Sequence, residues 1–252
     1  MSRSARRRRG AAIPAALVGA VALVVLLATQ LGGLELGGAS TGQPPASAPV
    51  ALAPAHPSGL TAVEALAALE VKGPAPATGY DREGGFGTAW LDVDRNGCDT
   101  RNDVLARDLT SIDAPGGCRV LGGELRDPYT GETIAFVRGQ DTSTAVQIDH
   151  VVALQNAWRT GAQQLAQEDR VALANDPLNL LAVDGPTNSA KGSGDAATWL
   201  PPSKGIRCEY VARQVSVKAA YGLWVVPAER DAIARVLETC PEQPAYLSTL
   251  EY

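Results

Sequence analysis

The feature that most constrains the fold lies between Val146 and Lys191. A short apolar strand ends in Asp149-His150, an insert follows, and a second apolar segment, Leu180–Val183, runs into Asp184-Gly185-Pro186 and a new helix near Thr187. Two short strands and a helix in that order can close only a small layered unit, because each buries its apolar side on the next. His150 is one of two histidines in the chain, and the other, His56, lies in a Pro/Ala-rich stretch. A histidine beside a carboxylate at a strand end invites a chemical reading, with a capped surface histidine and a turn acid as the plainer alternative.

Breakers elsewhere keep the other elements short. Thr61-Ala-Val-Glu64 matches a capping box, opens an apolar-faced helix, and Gly73-Pro74 stops it. Arg119–Leu125 and Glu132–Arg138 flank Asp127-Pro-Tyr-Thr-Gly131 and predict a hairpin. Helical spacing recurs from Val151 to Trp158, over Gln164–Asn175, over Glu209–Tyr221 and over Pro227–Leu237. The expected fold class is α+β, and no internal repeat is present.

Residues 1–9 carry five arginines and no acid, and residues 11–31 are almost wholly apolar. That order predicts a secretory signal or an uncleaved signal anchor over 1–31, with small-residue cleavage sites near Ala39 and Ala48. Residues 32–60 are read as a Pro/Ala/Gly-rich linker and 61–252 as the folded domain. An exported chain with four cysteines reads as two disulfides. Three connectivities are open. The favoured one, Cys98–Cys118 with Cys208–Cys240, closes two local loops. No CxxC pair supports zinc.

The full chain has 22 basic and 27 acidic residues, net −5, and without residues 1–9 the balance is 17 against 27, net −10. Such a body repels polyanions at long range and argues against non-specific DNA coating. It leaves room for an enzyme that meets phosphates locally.

Asp92, Asp94, Asn96, Gly97, Thr100 and Asp103 fall at the ligand spacing of a calcium loop. The twelfth position is Asp rather than Glu and no helix signal precedes it. The same residues also suit a turn leading into a helix capped by Asp99, so both readings stay open.

The strand end offers Asp149 as a hard oxygen ligand, and the helix after Asp184 offers the amide oxygen of Asn188. His150 alternates to the other side of the strand, where it can deprotonate water. A metal ion opposite a general base suits phosphodiester hydrolysis. The motifs IDHVVAL, LNLLAVDGPTNSAKG and AATWLPP resemble the HNH (ββα-metal) nuclease superfamily. More narrowly, the NGCDTRND block, the DPYTG hairpin, DHVVAL-x-x-AW and the closing cysteine resemble secreted bacterial HNH endonuclease family proteins. The resemblance spans about Tyr80 to Cys240. It implies His150 as general base, Asp149 as metal ligand and Asn179 as the residue that holds the base loop. Asn188 stands where the superfamily often has a histidine, giving a DH…N…N variant.

Lys191 and Arg101 are candidate phosphate clamps, their plainer roles being a helix-end charge and a partner for Asp99 or Asp103. The four tryptophans are expected as core anchors rather than base-stacking platforms. The expected function is a metal-dependent endonuclease, secreted or membrane-anchored, using Mg²⁺ with Mn²⁺ or Ca²⁺ as alternatives. Nucleic acid is the expected partner, a membrane enters only through an uncleaved N-terminal segment, and a monomer is expected. The competing reading is a non-catalytic, disulfide-stapled extracellular domain that binds calcium or a cell-surface partner.

Overall fold

A computed structural model describes residues 55–250. The expected signal segment and residues 32–54 of the expected linker lie outside these. The fold is mixed α+β with two disulfides, Cys98–Cys118 and Cys208–Cys240, so the local pairing holds. Among the described residues no helix is long and apolar enough to cross a membrane.

The first strand, β1 (His56–Thr61), pairs antiparallel with the last, β7 (Pro244–Leu247). This draws the end of the expected linker into the fold. Composition hid it, because the pairing partner lies at the opposite end of the chain. Thr61 then caps α1 (Ala62–Ala68): its hydroxyl accepts from the Glu64 amide, and the Glu64 carboxylate accepts from the Thr61 amide. The helix α2 (Arg82–Phe86), which periodicity did not reveal, is capped by Asp81.

Asp99 caps α3 (Thr100–Asp108) by accepting from the Asn102 amide at 2.8 Å. The chain continues directly into β2 (Leu109–Asp113), which joins the expected hairpin of β3 (Gly122–Arg126) and β4 (Thr133–Val137) in the order β2-β3-β4. Next, β5 (Val146–His150) pairs antiparallel with β6 (Leu180–Asp184), in a register that sets Asp149 opposite Leu181 and His150 opposite Leu180. Between them lie α4 (Leu154–Arg159) and α5 (Gln167–Asn175), and after them comes α6 (Gly185–Lys191). The chain closes through α7 (Arg207–Ala220) and α8 (Pro227–Leu237).

The β5–β6 pair is largely buried on both faces, and β6 accordingly reads as a near-continuous apolar run, whereas β5 sets Gln147, Asp149 and His150 among its apolar residues. Val146, Ile148, Leu180 and Ala182 pack with Leu105, Leu125 and Phe136. Leu181 and Val183 pack with Tyr129, Tyr210 and Val215 on the other side. The strand pair that carries Asp149 and His150 is thus held between α3 with the three-stranded sheet on one face and α7 on the other.

Candidate active site

Strand alternation sends Gln147 and Asp149 to one face of β5 and His150 to the other. The helix α6 answers with residues one turn apart. Asn188 donates from Nδ2 to Gln147 Oε1 at 2.9 Å, and Lys191 donates from Nζ to Asp149 Oδ1 at 2.9 Å and to the His150 carbonyl at 2.8 Å. A strand spacing of two thus meets a helix spacing of three on a common face. The turn that starts α6 explains the precision of this contact. Asp184 caps the helix, and a Cβ at Gly185 would stand 1.9 Å from the Thr144 carbonyl, so no other residue fits there unmoved.

Asp149 is clamped twice. Lys191 holds Oδ1, and the Tyr129 hydroxyl donates to Oδ2. Tyr129 comes from the DPYTG turn and is wedged at ring-centroid distances of 5.0 Å from Trp199 and 5.7 Å from Tyr210. Burial, then the Asp149 charge, hold its phenol well above the usual range, so it stays protonated and donates. The turn itself is fixed by buried Asp127, which accepts from Thr130 and from the Asp184 amide at the end of β6.

His150 is buried on the opposite face. Its ring lies parallel to Trp90 at 6.2 Å, and Nε2 sits 2.9 Å from the Ala174 carbonyl. A carbonyl only accepts, so Nε2 carries the proton and Nδ1 of the neutral ring carries the lone pair. Burial first, then the Arg82 charge, lower its pKa to about 3, so the ring is neutral at physiological pH. Trp90 holds φ 65, a conformation unfavourable for a bulky side chain and sustained here by its packing.

Asn179 ties the segment after His150 in place. Its Oδ1 accepts from the Val152 amide at 2.8 Å, its Nδ2 donates to the Leu173 carbonyl at 3.1 Å, and its own carbonyl accepts from the Val151 amide.

Asp149, His150 and Asn188 line one open cleft of about 320 Å³ together with Tyr80, Arg82 and Gln155. A second cavity of about 50 Å³ lies beyond His150, lined by Arg82, Trp90, Ala174 and Asn175. Asp149 and Asn188 are the cleft-lining residues whose oxygens could hold a cation. With Nδ2 spent on Gln147, the Oδ1 of Asn188 is left for a ligand, and an ionised carboxylate has about four acceptor positions, of which Asp149 uses two. One carboxylate and one amide oxygen could serve only an ion that keeps most of its shell as water or other ligands. They do not make a closed cage, and among the described residues no group of three or more His, Cys, Asp or Glu is arranged to hold a metal.

Three expectations need correction or restatement. Lys191 is buried and spends its ammonium on Asp149 and a carbonyl, so it does not offer itself to a phosphate in the cleft. Arg101 turns away as well: it is partly buried, donates to the Val146 carbonyl at 3.4 Å and is not among the residues lining the cleft. Position beside a motif in the sequence does not give side-chain direction. The Asp92–Asp103 segment does gather its side chains. Asn96 donates to Asp94 and Asp103 through Nδ2, and Asp92 accepts from the Asn96 and Gly97 amides. The loop's own donors thus occupy its carboxylates, as in a tight turn before a capped helix.

Sequence reasoning assigned no role to Tyr129, Gln147, Tyr80 or Arg82. Tyr129 stands in the DPYTG turn and Arg82 two residues after Tyr80, but only folding brings them to Asp149 and His150.

The family of GmrSD restriction endonucleases, C-terminal domain, matches residues 99–236, which span β5, β6 and α6 with their flanks. A protein of Arthroderma benhamiae, described as an uncharacterized secreted protein, is 36% identical over 193 residues, covering 76% of this chain and 90% of that one. No solved structure matches. With more than half of its length matched, and with the strand pair, His150 and Asn188 inside the match, the chain belongs to the GmrSD restriction endonuclease C-terminal domain family.

Proposed function

We propose that this protein is an exported, metal-dependent endonuclease that hydrolyses phosphodiester bonds of nucleic acid, with β5, β6 and α6 as its ββα-metal unit. The supporting observation is the convergence of Asp149, His150 and Asn188 on one cleft, with a neutral imidazole whose tautomer is set by the Ala174 carbonyl. Membership in a family of restriction-endonuclease domains agrees with this chemistry. The two disulfides and the secreted fungal relative support export.

In this reading Nδ1 of His150 takes the proton of an attacking water, while Nε2–H keeps the ring oriented against Ala174. Asp149 and Asn188 would hold a divalent cation, which when bound neutralises charge building on the phosphate and the leaving oxygen. Lys191 and Tyr129 fix the direction of the Asp149 carboxylate. Asn179 holds the backbone just after the base. Mg²⁺ is the proposed ion, and nucleic acid the partner.

The test is cleavage of plasmid DNA and of RNA by the purified full chain across Mg²⁺, Mn²⁺, Ca²⁺ and EDTA, beside His150→Ala. The expected result is cation-dependent cleavage that falls about 10²–10⁴-fold in the variant, the usual contribution of a general base. Absence of cleavage with every cation, or an undiminished His150→Ala protein, overturns the reading.

A further inference from the structure

We infer that Arg82 is the phosphate-binding residue of this cleft, gripping the non-bridging oxygens of the phosphodiester beside His150; this rests on the endonuclease reading. Arg82 lines both the cleft and the smaller cavity beyond His150, so it flanks the imidazole at the mouth of each.

The other cations near the strand pair are spent elsewhere. Lys191 is held by Asp149, and Arg101 by the Val146 carbonyl. Arg107 donates to Asp108 and to the carbonyls of Pro177 and Leu180, and Arg170 to those of Gly85 and Leu165. Arg82, by contrast, is exposed, and the group it sits beside in the cleft is the Tyr80 phenol rather than a carboxylate. A guanidinium has five donors in a planar fork, so most of its donors stay free for a bidentate grip on a phosphate.

Charge gives the same assignment. Among the charged groups lining the cleft, Asp149 is already paired with Lys191, whereas Arg82 makes no salt bridge among the described residues. The chain as a whole is acidic, net −5, so long-range attraction for a polyanion is missing. A local guanidinium next to the base is then the means by which a phosphodiester is held against that background.

The experiment measures two things. The first is kcat/KM for Arg82→Ala and Arg82→Lys in the full chain. The second is duplex-DNA binding against salt, comparing His150→Ala with His150→Ala/Arg82→Ala. The N-terminal arginines contribute equally to both binding proteins and cancel. Arg82→Ala is expected to lose about 10²–10³ in kcat/KM, as for one donor to a charged transition state. Arg82→Lys is expected to recover only part, because an ammonium cannot grip two oxygens. Without Arg82 the slope of log Kobs against log salt should fall by about 0.9, one phosphate contact. Unchanged melting would accompany these changes, since the side chain is exposed.

A kcat/KM within threefold of wild type, or an unchanged salt slope, overturns the assignment while leaving the endonuclease reading intact. An Arg82-dependent slope in a wild-type chain that cleaves nothing does the reverse: the phosphate contact stands and the endonuclease reading falls.

Discussion

Replacing Lys191 with Met separates a buried structural ammonium from a phosphate clamp. The Lys191 side chain is 0% exposed and its partner Asp149 6%, with Nζ 2.9 Å from Oδ1. At that distance and an effective dielectric of about 20, the attraction is about 6 kcal/mol. Desolvation of the two ions offsets much of it, so the pair adds little over an apolar replacement of both. Breaking it from one side is different, because Asp149 is left buried with only Tyr129 as donor and the His150 carbonyl loses its own. That loss is about 3–5 kcal/mol.

For a domain of this size about 2–4 °C of Tm accompanies each kcal/mol, so Lys191→Met should melt about 6–20 °C below wild type. Asp149→Asn/Lys191→Met removes both charges and should be less destabilised than the two single losses added, by about 2 kcal/mol or more. Differential scanning calorimetry and urea titration of the four proteins give the cycle. If Lys191→Met melts within 2 °C of wild type while cleavage collapses, the ammonium is reaching substrate and its role as a buried structural charge is refuted.

Two further substitutions probe how the site is positioned. Asn179→Ala strips partners from the Val152 amide and the Leu173 carbonyl at a fully buried position, and should cost about 2–5 kcal/mol in urea titration; a loss under 1 kcal/mol contradicts the hydrogen-bond account. Gly185→Ala sets two effects against each other. Helix propensity favours Ala by up to about 1 kcal/mol, whereas the added Cβ meets the Thr144 carbonyl at 1.9 Å. The clash should win, lowering Tm and reducing cleavage as α6 carries Asn188 out of place, and a raised Tm would refute it.

Much of the local structure was legible in the chain. The DPYTG turn lies between β3 and β4, Thr61 and Glu64 form the expected capping box, and Pro227–Leu237 is a helix over the expected span. These depend on signals within a few residues, such as a fixed proline φ, a side-chain cap or an apolar period. The order of β5, β6 and α6 was legible for the same reason, and with it the neighbourhood of Asp149, His150 and Asn188. The disulfides followed from the shortness of the loops they close.

What escaped the sequence depends on partners far away along the chain. β2 had no strand signal of its own; four of its five residues are exposed, and pairing with β3 defines it. β1 hid in a Pro/Ala-rich stretch until β7 paired with it. For Lys191 and Arg101 the sequence leaves phosphate clamp and structural charge both open, because it gives a residue's charge and not its burial. Folding sinks one onto Asp149 and turns the other onto the Val146 carbonyl, and it brings Arg82, at the start of α2, to the side of His150. By itself, then, the sequence determined the short elements and the residue types able to do the chemistry. Only the tertiary structure decided which charges are spent within the protein and which face the cleft, because burial and direction are properties of the packed whole.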